Sequence, residues 1–218
     1  MQYSKLEKGL IKFTHCQKDI YCCSVPQHCP ICGQSAVSSW KLEDAPVSIP
    51  SPFVNGHGEQ FSFVLKPTKG LFISEYDGCS DLHVGITSSQ GVVFNYNETG
   101  VHRDATGWDQ CVSVLLVPPD VHNVRSQWDD YLERFSAADR WLPQRYKESD
   151  HNCYTFALTF VNSMLTLQEK KTFSKKEFTE RFVLPRTRRA SKYITICKEI
   201  SENDFYIVKN HKNVVITP

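Results

Sequence analysis

The sequence predicts an α+β fold, with a small cysteine-rich module at the N-terminus followed by one mixed domain in which strands come first and helices later. Three observations lead there. Five of the nine cysteines crowd between Cys16 and Cys32. Short apolar runs bounded by turn residues fill the chain up to Val117, as half-buried strands require. Beyond Pro119, apolar residues recur at helical spacing, so segregated strands and helices are expected.

In chain order, Leu10 to Phe13 and Ile20-Tyr21 read as short strands, and Cys29-Pro30-Ile31-Cys32-Gly33 as a tight turn. Residues 37–58 are rich in Ser, Pro and Gly and read as a linker, giving a zinc-ribbon-like module over 1–36 and a mixed domain over 59–218. Strands are expected at 61–65, 71–74, 82–86, 92–96 and 111–117. Val124, Trp128, Tyr131, Leu132 and Phe135 mark one helix of three to four turns. Cys153, Phe156, Ala157, Phe160, Val161 and Met164 mark a second, with Asp150 or Asn152 as its cap. Residues 174–182 and 187–200 read as helical, and 205–208 as a last strand.

Charge excludes some classes of function. Twenty-five Lys and Arg against 24 Asp and Glu leave a net charge of +1, so no global field attracts nucleic acid or an anionic membrane. Lys5, Glu7 and Lys8 interrupt the apolar core that a signal peptide needs, and no run approaches a membrane span. The expectation is an intracellular protein, cytoplasmic or nucleocytoplasmic, whose cysteines are reduced thiols or metal ligands. The Asn97-Glu98-Thr99 triplet is then an accidental glycosylation match.

Cys29-x-x-Cys32, with Pro and Gly in the turn, lets two thiolates face one tetrahedral ion. His15 and Cys16 lie fourteen and thirteen residues upstream of Cys29 and can both ligate only where the chain kinks sharply. Cys22, Cys23 and His28 compete as donors. The expected set is His15, Cys16, Cys29 and Cys32 around a structural Zn2+; the alternative is a group of small buried thiols without metal.

Four segments, KLEDAPVSIPSPF, SDLHVGITSSQGVVFNYNETGV, HNCYTFALTFVN and FTERFVLPRTRRASKYIT, together resemble the makorin ring finger protein two opposite strand family of vertebrates. That name records a genomic location, so no ligase activity is implied. DLHVGITSSQGVVFNY followed by HNCYTFALTFV more distantly resembles the permuted papain-like folds, among them the lecithin:retinol acyltransferase-like, NlpC/P60-like and PPPDE-type thiol enzymes. The resemblance implies an antiparallel sheet packed by helices, with a strand histidine preceding a helix-start cysteine. Asn152-Cys153-Tyr154-Thr155-Phe156 stands where the acyltransferases carry an NCEHF-like motif.

The residues make their own case for a site. A hairpin pairing Ile86 with Val92 places His83 opposite Asn95, while a one-residue slip pairs His83 with Phe94 and turns Asn95 to the other face. Cys153 opens a helix, where free amides and the macrodipole favour a thiolate. The expected roles are Cys153 as nucleophile, His83 as general base and then acid, and Asn95 as orienter. Against this, Cys153 shares the apolar stripe of Phe156 and Phe160, as a core thiol would. Two functions follow: a non-catalytic adaptor that binds a protein partner, and, as the alternative, a thiol hydrolase or acyltransferase acting on an amide, ester or thioester. His102, Arg103 and Asp104 read as a surface loop, His151 as a solvated helix-start residue, and Ser191 in Arg-Arg-Ala-Ser as a candidate phosphorylation site.

Overall fold

Two antiparallel sheets organise the described residues, 9–35, 42 and 44–209, of this computed structural model. The strands are β1 (Leu10–His15), β2 (Lys18–Cys22), β3 (Asp44–Ile49), β4 (Ser62–Pro67), β5 (Leu82–Thr87), β6 (Val93–Asn97), β7 (Gly100–Asp104), β8 (Val112–Leu115) and β9 (Phe205–Lys209). The helices are α1 (His122–Ser136), α2 (Cys153–Leu167), α3 (Lys175–Phe178) and α4 (Leu184–Asn203). The chain divides into one unit formed by Met1–Ser51 with Lys192–Pro218 and another formed by Pro52–Ser191.

The first unit holds the sheet β3-β1-β2-β9. Its organisation differs from a module over 1–36, a linker over 37–58 and a domain over 59–218, because strands from the expected linker and from the far end of the chain join the N-terminal hairpin. The reason is burial. Phe13 and Ile20 are buried together with Cys22 and Cys29, and Ile11, Leu42, Phe205 and Ile207 pack on them. A lone two-stranded hairpin is marginal in water, and β3 on one side and β9 on the other complete a sheet.

The second unit holds the sheet β7-β6-β5-β4-β8. Helix α2 packs on β5 and β6, burying Phe156, Ala157 and Phe160. Trp128 on α1 meets Phe160 edge-on, and its Nε1 donates to the Thr87 carbonyl at 2.9 Å. Residues 71–74, expected as a strand, form a turn instead: the amides of Glu75 and Tyr76 both donate to the Leu71 carbonyl, and Phe72 stacks on Phe53. The two expected helices at 174–182 and 187–200 are successive parts of one helical run. Ser174 and Glu177 form a reciprocal cap, and a π-helical turn at Thr179–Val183 joins α3 to α4. Pro185 has no N–H to return to the preceding turn, and the helix widens there.

Candidate functional site

The N-terminal cluster is built by two turns. β1 and β2 pair His15 with Lys18, which leaves Cys16 and Gln17 as a two-residue loop with φ of +53° and +57°. Both are non-glycine residues in the left-handed region, each at a cost of about 1–2 kcal/mol. This is the sharp kink that lets adjacent His15 and Cys16 face one point. The second turn is closed by Gly33 N–H donating to the Cys29 carbonyl and Cys29 N–H to the Gln34 carbonyl, each at 2.9 Å. There the Ile31 amide donates to Cys29 Sγ at 3.4 Å.

His15 Nδ1 lies 3.0 Å from Cys16 Sγ, 3.2 Å from Cys29 Sγ and 3.9 Å from Cys32 Sγ. All four ligand atoms fall within 4.8 Å of one another. Metal–donor bonds of about 2.0–2.3 Å in a tetrahedron put ligand atoms about 3.5–3.8 Å apart, so the group could hold a metal ion. Burial and the neighbouring thiols of Cys32 and Cys29 push Cys16 up to about 11, whereas the Gln34 amide holds Cys32 below its ordinary value. Of the competing donors, Cys22 is buried with its thiol directed at the Ile11 carbonyl, and neither Cys23 nor His28 joins the group.

In the second unit, His83, Asn95 and Cys153 line one cleft of about 690 Å³, together with Lys66, Asp104 and Trp108. The β5–β6 ladder runs Gly85↔Asn95, Ile86↔Phe94 and Thr87↔Val93, two residues away from the expected pairing of Ile86 with Val92. A shift of two preserves the face, so His83 and Asn95 stay together, now as diagonal neighbours. His83 Nε2 lies 2.9 Å from Asn95 Oδ1. Asn95 Nδ2 donates to Asp104 Oδ2 at 2.8 Å, and Trp108 Nε1 donates to the same oxygen at 3.0 Å. The amide orientation fixes the tautomer: Asn95 Oδ1 can only accept, so His83 Nε2 carries the proton and Nδ1 keeps a lone pair in the neutral ring.

Cys153 opens α2. Asn152 Oδ1 accepts from the Tyr154 and Thr155 amides, both at 3.1 Å, and Asn152 Nδ2 donates to the Glu148 carbonyl. Burial pushes the Cys153 thiol above its ordinary value, while the amides of Val84, Tyr154 and Cys153 itself act on the sulfur in the opposite sense. Val84 is the chain neighbour of His83, and α2 packs on β5, so His83 and Cys153 line the same cleft. Burial also lowers His83, offset in part by its bond to Asn95. Both shifts favour a resting thiol and neutral imidazole over an ion pair.

Asp104 is the member the sequence reading placed in a surface loop. It ends β7, which pairs along its length with β6, and the turn between them has Thr99 N–H on Asn97 Oδ1 and Gly100 at φ +109°. Asn97 and Gly100 flanking two polar residues between alternating runs were the available signal. Gly85 serves the same face: a Cβ there would stand 3.2 Å from the Trp108 ring and 2.5 Å from Val93, and Trp108 lies beside His83 with ring centroids 5.8 Å apart. His151 belongs elsewhere, stacked on Trp141 with Nε2 on the Arg140 carbonyl. Ser191 is exposed within α4.

The fold and these two groupings define an α+β protein with a potential metal-binding Cys/His cluster near its N-terminus and a polar cleft at a helix start. The chain belongs to the DUF4796 family: residues 46–200 match the family described as DUF4796 C-terminal, and residues 8–35 match DUF4796 N-terminal. It is similar to the MKRN2 opposite strand protein of Homo sapiens, 53% identical over 207 residues that cover 95% of this chain and 92% of that protein. No solved structure matches. Among the described residues, no helix is long and apolar enough to cross a membrane.

Proposed function

We propose that the second unit is a thiol-dependent hydrolase or acyltransferase and that the first carries a structural Zn2+ on His15, Cys16, Cys29 and Cys32. The observation that carries the first part is the chain of hydrogen bonds from Asp104 through Asn95 to His83, which fixes the imidazole tautomer in the same cleft as a helix-start cysteine. An antiparallel sheet with α2 laid on β5 and β6 supports a permuted papain-like shell. His83 Nδ1 takes the Cys153 proton as the sulfur attacks an acyl carbon. The leaving group departs with that proton, and water or an acceptor nucleophile then releases the acyl group from sulfur. Concerted proton transfer suits a pair that rests neutral.

The adaptor reading has its own support, since Cys153 is only 9% exposed and burial keeps it a thiol. A thiol-directed activity probe separates the two. Labelling of Cys153 far faster than of the exposed Cys79, together with acyl-substrate turnover lost in Cys153→Ala, is the expected outcome. Labelling of exposed thiols alone, with no Cys153-dependent turnover, leaves the adaptor. The tetrahedral spacing of one histidine nitrogen and three sulfurs supports zinc, and elemental analysis is expected to find about one zinc per chain.

A further inference from the structure

We infer that the Cys153 cleft selects a cationic acyl substrate, a peptide amide or ester bearing an ammonium or guanidinium group near the scissile carbonyl. This rests on the thiol reading above and adds the substrate class.

The cleft is lined by four carboxylates, Asp81, Glu98, Asp104 and Glu148, against one ammonium, Lys66. Lys66 is already engaged: its Nζ donates to the Gly107 carbonyl at 2.7 Å and sits 4.8 Å from the centroid of the Trp108 ring. Lys175, whose charge reaches Cys153, lies over the Tyr154 ring and does not line the cleft. Asp104 is spent on Asn95 and Trp108, which leaves Asp81, Glu98 and Glu148, all exposed, to face an entering molecule. Four carboxylates against one ammonium leave the concave wall net negative, and such a wall concentrates the opposite sign. Tyr146, half-buried in the lining, supplies an aromatic face that a cation tolerates.

The same lining argues against a long acyl chain. Each methylene needs apolar wall to recover about 0.8 kcal/mol, and Leu82, Tyr146 and Trp108 are interspersed here with polar groups. An apolar hollow of about 230 Å³ between Trp128, Met164, Phe173 and Phe178 contains neither His83 nor Cys153.

Matched methanethiosulfonates carrying a trimethylammonium, a methyl or a sulfonate group test this on the full-length protein, with modification of Cys153 followed by mass spectrometry and rates normalised to a free thiol. The cationic reagent is expected to react at least about tenfold faster than the anionic one, a preference that shrinks in about 0.5 M salt. The triple variant Asp81→Asn/Glu98→Gln/Glu148→Gln is expected to bring the normalised rates of the cationic and anionic reagents together. Equal rates for the three reagents, or faster modification by the sulfonate, overturn the cationic substrate and leave the thiol reading standing. No modification of Cys153 by any reagent overturns both.

Discussion

In the first unit, four donor atoms are gathered from residues at most seventeen positions apart, His15 to Cys32. In the second, His83, Asn95, Asp104 and Cys153 come from three strands and a helix start. The two groups also differ in what holds them. The Cys16-Gln17 turn spends left-handed backbone on non-glycine residues, and His15 and Cys29 are buried against thiols, an arrangement that a bound cation stabilises. The cleft is held by hydrogen bonds within the fold: Asn95 is 3% exposed and both ends of its amide are bonded. On the proposed reading, a local site made by turns depends on its ligand, while a site assembled across a sheet depends on hydrogen bonds made in the fold.

The sharpest way to break that comparison is Cys29→Ser. Opening a closed site forfeits metal binding, for which structural zinc contributes on the order of 10 kcal/mol. The variant is expected to purify without metal and to lose amide protection across β1 and β2, read by elemental analysis and hydrogen exchange. A metal-free variant with full protection there would make the cluster a set of packed thiols.

Asn95→Ala is the counterpart in the cleft. It leaves the His83 Nε2–H and the Asp104 carboxylate without their shared partner, at a cost of about 1–3 kcal/mol, to be read from denaturant midpoints. An unchanged midpoint would mean that the relay adds nothing to the fold. Asn152→Ala removes the acceptor for the Tyr154 and Thr155 amides and is expected to cost about 1 kcal/mol. It should also slow Cys153 chemistry by loosening the first turn of α2, which a melting curve and a labelling time course report together.

The pH dependence of the cleft has two limbs. His83 is lowered from an ordinary value of 6.5, so the unfolded chain binds the extra proton first, and stability is lost as pH falls below that value. Cys153 is raised from 9.0, so the unfolded chain ionises first, and stability is lost as pH rises above that value. In urea titrations across pH, His83→Ala should reduce the acidic limb, and Cys153→Ala should lessen the alkaline one, to which the buried thiols of Cys22, Cys111 and Cys197 also contribute.

How much of this was legible follows the same division. Cys-x-x-Cys with its Pro and Gly can be read from spacing, and so can an upstream His-Cys pair, because turns act over a few residues. The helical stripe from Val124 to Phe135 lies within α1, and Asn152, one of two candidate caps, is the cap observed. β3 and β9 were harder to place with β1 and β2, since nothing local to residues 37–58 or 205–208 states their partner. The hairpin register slipped by two residues, yet His83 and Asn95 still met because alternation has period two. Asp104 was missed where a polar strand end looks like a loop, and its value lies in what Asn95 and Trp108 donate to it.

The central claim, that His83 serves the Cys153 thiol, is tested most directly by the rate of Cys153 alkylation with iodoacetamide against pH, in the native protein and in His83→Ala. General-base assistance predicts a rate that rises as His83 loses its proton, below pH 6.5, to a plateau, and that falls by about 10²-fold in His83→Ala. A single rise above pH 9.0, where burial places an unassisted Cys153, and unaltered by His83→Ala, would contradict it.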